Sequence, residues 1–399
     1  MKSGKKAVLV FGCGELQQSI IGRAHKMGLY VVGIDPCEDA YCKGDVDAFE
    51  VVEGLDFEGT CAVVEKHGID AIVTAATDKP LVMMARIAKK YGFPFFSVDT
   101  AKWSTDKFQM KQRFIEGGVP CAKGRLVKSV EETSDMVYPL IVKPRDNSGS
   151  RGVKLCRTPD ELSASMAEAL EYSRLDTVLV EEFIEGQEYS IEGLHYDGKS
   201  EIIQFTEKKT TEFPYNVELG HKQPANLTDE QKSNIREIVA RIGDALHFEN
   251  CPSHTELKIN DRGIFVIETS PRLGGDYITS TLVPLSTGIN MEDQMLKTAL
   301  GKTVDISTGR IDKASGVEFF QFPEGVIDYI DPNMCKVTDE SGVYLFVLKL
   351  KEGDEVNKIT SSLNRYGAMI IEASCRQDLD KLINGLHTRV LSWVHTKQI

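Results

Sequence analysis

Three stretches of this chain hold charged residues and glycines at spacings that suit phosphate and metal chemistry. In Pro139-Leu-Ile-Val-Lys143-Pro-Arg-Asp-Asn-Ser148-Gly149-Ser150-Arg-Gly152-Val, a strand-like run delivers a lysine and opens into a loop of Gly and Ser. Glycine N–H groups can wrap a polyphosphate, and an ammonium at the strand end adds a compact positive charge. The order is not that of a Walker loop, and the plain alternative is a glycine-rich surface turn. Val178-Leu-Val-Glu181-Glu182-Phe183-Ile-Glu185-Gly186-Gln-Glu188 is a strand that ends in acids and turns at Gly186. Its edge could read an adenine through a backbone donor and acceptor, with a carboxylate for ribose hydroxyls; the alternative is a solvated acidic turn. The third stretch pairs His254-Thr-Glu256-Leu-Lys258 with Phe265-Val-Ile-Glu268-Thr-Ser270-Pro-Arg272-Leu-Gly274-Gly275-Asp276. Glu256 and Glu268 on adjacent hairpin strands could share a Mg²⁺ between hard oxygen ligands. Arg272 just beyond them is placed to hold an anion developing beside the metal. An exposed charged hairpin is the alternative.

The elements that must position these groups fall into three textures. Lys6 to Phe11 reads as a buried strand, Glu15 to Met27 as a helix and Tyr30 to Ile34 as a second strand; Ala71 to Thr74 and a helix over Leu81 to Tyr91 repeat the pattern. Such alternation predicts βαβ units and a parallel sheet over residues 1–100. From Leu126 onward, short β-branched strands predict mixed or antiparallel sheet, at 140–143, 178–183, 189–195, 201–206, 256–259 and 264–268. A helix over Asp229 to Leu246 interrupts them, and after Gly301 hairpin-like strands at 344–350 and 368–372 precede a helix from Asp378.

At 399 residues the chain exceeds what one hydrophobic core serves, so two or three domains are expected. Its 41% apolar and 27% charged residues are those of an ordinary globular protein. The net charge of −13 argues against nucleic acid or an anionic membrane as partner. Nine cysteines, odd in number and without a C-x-x-C pair, predict reduced thiols rather than a disulfide framework or zinc site. The apolar runs are too short to span a bilayer and the N-terminus lacks a signal-peptide pattern, so a cytoplasmic location is expected.

The three stretches, in this order, resemble the ATP-grasp superfamily, and among its members biotin carboxylase, the large chain of carbamoyl-phosphate synthetase and the L-amino acid ligases. The resemblance spans roughly residues 5–300 and adds Lys107, in Ser-Thr-Asp-Lys-Phe-Gln-Met-Lys. It implies an α/β and α+β architecture. A Rossmann-like pre-ATP-grasp domain would occupy 1–100, an ATP-grasp domain 101–300 with a small central subdomain near 126–185, and a C-terminal α+β domain 301–399. It implies ATP and Mg²⁺ as cofactors, with Mn²⁺ as an alternative. Lys107 and Lys143 then look like phosphate ligands, with Ser148, Gly149, Ser150 and Gly152 as the loop. Glu181, Glu182 and Phe183 look like the adenine hinge, and Glu188 like the ribose acceptor. Glu256, Glu268 and Ser270 look like the metal site, Ser270 standing where the family usually has Asn.

On this reading a carboxylate attacks the γ-phosphorus of ATP, and an amine then displaces phosphate from the acyl phosphate. Arg272, Gly274, Gly275 and Asp276 would face the substrate, with Asp276 either holding an α-ammonium group or capping the next helix. His221 is expected on a loop after the 201–206 strand, reaching substrate or only bracing the loop. Partners would be a small carboxylate and an amine, with a homodimer as an option. Gly12-Cys-Gly14 and Asp35 imitate a dinucleotide fingerprint, but Gln17 replaces its third glycine. A phosphotransferase, a bicarbonate-activating enzyme and an inert nucleotide-binding regulator are the rival readings. No G-x-S-x-G and no H-E-x-x-H occurs.

Overall fold

The computed structural model describes residues 4–147, 149 and 151–397. The chain opens with β1 (Ala7–Phe11), α1 (Gln18–Lys26), β2 (Tyr30–Asp35), β3 (Ala48–Val51), α2 (Phe57–His67), β4 (Ala71–Val73) and α3 (Leu81–Tyr91). These strands form a parallel sheet in the order β3-β2-β1-β4. Both faces of β1 are buried, Leu9 and Phe11 in one core and Val8 and Val10 in another, which is why it reads as an unbroken apolar run.

Next come α4 (Val98–Thr105) and α5 (Lys107–Glu116), then β5 (Gly124–Val127), β6 (Leu140–Pro144), β7 (Lys154–Cys156), α6 (Pro159–Glu171) and β8 (Val178–Glu182). The four strands make a small antiparallel sheet ordered β5-β8-β6-β7, with α6 against it. The larger layer contains β9 (Gln187–Tyr196), β10 (Lys199–Thr210), β11 (Glu218–Gln223), α7 (Asp229–Leu246), β12 (Cys251–Asn260) and β13 (Gly263–Ser270). Thr228 starts α7 with a capping box to Gln231. Two further helices follow, α8 (Val283–Thr287) and α9 (Met291–Ala299).

The segment after Gly301 is shared between two sheets. Of its strands β14 (Ala314–Phe319), β15 (Gly325–Ile330), β16 (Val343–Leu348), β17 (Glu355–Val356), β18 (Gly367–Ala373) and β19 (Val394–Lys397), three enter the large sheet. Its order is β13-β12-β9-β10-β11-β14-β18-β16, while β17-β15-β19 form a separate sheet. The cause is a row of orphan backbone groups along β11, which β14 satisfies from Gly220↔Glu318 to Gln223↔Ser315. The C-terminal helix α10 (Arg376–Ser392) buries Leu379, Ile383 and Val390 beneath β14 and β18. Among the described residues no helix is long and apolar enough to cross a membrane.

Where α9 packs on α1, Ser19 Oγ donates to Glu292 Oε2 at 2.7 Å and Arg23 pairs with Asp293. Burial pushes the Glu292 carboxyl up from its usual 4.5 to about 7, against the pull of Ser19 and Arg23. The folded protein therefore binds this proton more tightly than the unfolded chain. Stability is expected to fall as pH rises from 4.5 through 7, by up to about 3 kcal/mol. Glu292→Gln should match the parent in thermal melts at pH 5 and exceed it at pH 8; equal melting temperatures at pH 8 would contradict this.

Candidate nucleotide and substrate cleft

A cleft of about 310 Å³ lies between the small sheet and the polar face of the large one. Lys107 owes its place to Asp106, which caps α5 by accepting from the N–H groups of Phe108 and Gln109. The same carboxylate binds Arg145 Nη2 at 2.5 Å, and the Arg145 carbonyl accepts from Lys107 N–H at 2.9 Å. Arg145 lies two residues beyond Lys143, so a helix start and a strand end deliver their lysines to one place.

Each expected cation in the cleft has an acidic partner. Lys143 Nζ is 2.6 Å from Glu181 Oε2, and the buried Lys111 approaches Glu181 Oε1 at 2.6 Å. Burial alone would raise the Glu181 carboxyl, but the Lys143 and Lys111 ammoniums outweigh it and hold it below its usual range. The Glu181 side chain is thus a clamp between two lysines rather than a free contact for adenine. The Phe183 N–H is also engaged, donating to the Pro139 carbonyl at 3.2 Å, while its ring meets Phe213 edge-on at 5.2 Å. Glu182 Oε1 accepts from Lys123 N–H at 2.9 Å.

Glu256 and Glu268 stand directly opposite each other across β12 and β13. Lysines compensate both: Lys107 Nζ is 2.6 Å from Glu268 Oε2, and Lys208 Nζ is 2.8 Å from Glu256 Oε1. Lys208, 2% exposed, also touches Glu188 at 2.7 Å and Glu218 at 3.5 Å. Those carboxylates, against the opposing effect of burial, raise its ammonium well above the usual range. His254 sits between Glu192 and Glu256; burial opposes its charge, but the Glu192 carboxylate pushes it up to about 9.

Among the described residues no group of three or more His, Cys, Asp or Glu could hold a metal. Two opposed carboxylates nevertheless fit Mg²⁺, which keeps waters and commonly takes only one or two carboxylates plus phosphate oxygens. Ser270 belongs to a different cluster from the one expected: its hydroxyl donates to Asp78 Oδ1 at 2.5 Å. Arg272 grips the same carboxylate, Nε to Oδ1 at 2.8 Å and Nη2 to Oδ2 at 3.1 Å. Asp78 follows β4 at the carboxyl end of the parallel sheet, the edge where open α/β sheets bind ligands. That rule is the signal by which sequence reasoning could have found it.

Asp276 does not cap a helix. It has φ 51°, and both its oxygens accept from Arg365 at 2.7 Å, a residue that nothing in the sequence pattern singles out. Burial would raise the Asp276 carboxyl, but the Arg365 guanidinium and nearby His221 hold it far below its usual range. His221 lies in β11, not on a loop, with Nε2 3.5 Å from Asp276 Oδ2 and neither ring nitrogen hydrogen-bonded among the described residues. Gly275 lines the cleft, whereas Gly274 packs beneath it, where a Cβ would lie 2.7 Å from His254 Nδ1. Gly149 also lines the cleft, and Gly152 turns the chain at φ 74° where a Cβ would press on Pro144 and Tyr172. Ser148 and Ser150 lie outside the described residues. Asp35 accepts from the N–H groups of Cys13 and Cys37, so it braces the glycine turn after β1.

Residues 136–280 match the model of the ATP-grasp domain. The alanine–anticapsin ligase of Bacillus amyloliquefaciens is 26% identical over 321 residues, 70% of this chain and 66% of that enzyme. The carbamoyl phosphate synthase large chain of Bifidobacterium adolescentis is 27% identical over 319 residues, 76% of this chain and 27% of that protein. The chain thus spans less than two thirds of the length of these two relatives. Among solved structures, the L-amino acid ligase of Bacillus licheniformis superposes with a TM-score of 0.84 at 18% identity, covering 99% of both chains. Phosphoribosylglycinamide synthetase of Anaerococcus prevotii gives 0.76 at 21%, covering 99% of this chain and 100% of that one. With its match at 136–280 the chain carries an ATP-grasp domain, and over much of its length it is similar to an alanine–anticapsin ligase, to a carbamoyl phosphate synthase large chain and, in fold, to an L-amino acid ligase.

Proposed function

We propose that this protein is an ATP-dependent carboxylate–amine ligase that works through an acyl phosphate and takes a small amino acid as its acid. The observation that carries the reading is the opposition of Glu256 and Glu268, each held by a lysine, in a cleft shared with Lys143 and Arg272. The lysine–glutamate pairs act as placeholders. When nucleotide enters, phosphate oxygens take Lys107 and Lys143, Lys111 stays on Glu181, and Glu268, freed from Lys107, would hold Mg²⁺ together with Glu256. No buried charge is left uncompensated during the exchange. Bound Mg²⁺ supplies neutralisation of the β and γ oxygens.

The substrate carboxylate then forms an O–P bond at the γ-phosphorus as the bond to ADP breaks. The amine forms a C–N bond at the acyl carbon, phosphate leaves with the C–O electron pair, and the proton lost from the amine nitrogen goes to that phosphate. Arg272 would stabilise the oxyanion of that second step. Asp276 and Arg365 offer opposite charges side by side, which suits a zwitterion better than bicarbonate. The names alanine–anticapsin ligase and L-amino acid ligase among the similar proteins support the same substrate class.

The test is phosphate release from Mg·ATP with amino acids, hydroxy acids and bicarbonate offered singly and in pairs. Stimulation by bicarbonate alone, and by no amino acid, would overturn the reading. For Asp276→Asn, loss of one charge-assisted contact should raise the KM for the amino acid roughly tenfold. The KM for ATP should hardly change, and an unchanged amino-acid KM would remove Asp276 from the substrate site.

A further inference from the structure

Beneath the opposed glutamates lies a pair of residues to which the reading above gives no task. Glu192 on β9 is fully buried and stands opposite His254 on β12. Its Oε1 is 2.7 Å from His254 Nδ1, while Oε2 has no hydrogen-bond partner among the described residues. On its other side the imidazole turns Nε2 toward Glu256 Oε1, at 3.4 Å, and Lys208 approaches that same oxygen at 2.8 Å. Room for the arrangement depends on Gly274, because a Cβ there would come within 2.9 Å of Glu192 Oε2 as well as 2.7 Å of His254 Nδ1. A buried carboxylate with one idle oxygen is costly unless its geometry serves something. What this one fixes is the ring plane of His254, and through it the Glu256 Oε1 that the imidazole Nε2 faces.

Building on the reading of the cleft as a metal–nucleotide site, we propose that Glu192 and His254 are positioning residues that orient the Glu256 carboxylate for the metal accompanying ATP. His254 and Lys208 together occupy Oε1, which leaves Oε2 as the oxygen to be shared with Glu268. Two donors on one oxygen also remove the rotational freedom that a lone lysine would leave, so less ordering remains to be done when the metal arrives. Outer groups that orient a ligand typically alter metal affinity by 10–100-fold when removed.

Mn²⁺ is the probe, titrated into the full chain with ADP and followed by the paramagnetic resonance signal of the free ion. Glu192→Gln keeps the volume and removes the charge that holds His254. It is expected to weaken Mn²⁺ binding by about tenfold or more, while ADP binding measured in EDTA stays at the parental value. Parental Mn²⁺ affinity in the folded variant overturns the proposal, and so does an equal loss of ADP binding in EDTA, which marks general damage. Should that variant not fold, His254→Asn decides, since its amide can still donate toward Glu192 but does not reach Glu256. The same loss is expected there, and parental affinity refutes the role. Failure of the unaltered protein to bind Mn²⁺ with ADP at all would instead overturn the nucleotide reading.

Discussion

Glu268→Gln is expected to lower turnover by about 10²–10³ while ATP still binds. Glu268 faces Glu256 across the hairpin and is neutralised by Lys107 at 2.6 Å. The amide keeps the shape of the side chain but halves the carboxylate charge offered to a divalent ion. On the proposed reading adenine and ribose would be held elsewhere in the cleft, so nucleotide affinity should change much less than the chemical step. Fluorescent-nucleotide titration beside steady-state phosphate release separates the two. Near-parental turnover at saturating Mg²⁺ would show that the metal does not sit between these glutamates.

A second large effect is expected on stability. Glu181 is 3% exposed and carries Lys111 on one oxygen and Lys143 on the other, each at 2.6 Å. Glu181→Ala would leave two buried ammonium groups without a counter-charge, and breaking such a pair typically costs about 3–5 kcal/mol. Urea unfolding should show the midpoint moving down by a corresponding amount. High ATP should restore part of the loss, because phosphate oxygens can stand in for the missing carboxylate at Lys143. A midpoint within error of the parent would show that the triad is not compensating buried charge.

Local chemistry made much of this protein legible. The unbroken apolar run Ala7–Phe11 marks a strand buried on both faces, and such strands belong to parallel sheets. The capping residues of α7 and the strand spacing of the β12–β13 hairpin are likewise written locally, which is why Glu256 and Glu268 could be paired before any coordinates. β11 was not legible. Its Glu-Leu-Gly-His-Lys-Gln sequence reads as a polar loop, yet it is a central strand, because Glu218 and His221 line the cleft while Gln223 bonds to buried Thr206 and Ser286 and Lys222 pairs with Asp380. Hydrophobic alternation fails where a functional face takes the place of the core.

The sequence by itself determined the residue types suited to phosphate and metal, their order along the chain, and the parallel and antiparallel layers that carry them. Only the tertiary structure decided how the charges are matched. Asp78 reaches Arg272 from the parallel sheet, Lys208 joins Glu188, Glu218 and Glu256, and Arg365 arrives from the C-terminal segment to take Asp276. The physical reason is that periodicity and turn chemistry act over a few residues, whereas a buried charge requires a partner wherever the fold can supply one. In the cleft those partners come from strands and loops as far as 194 residues away.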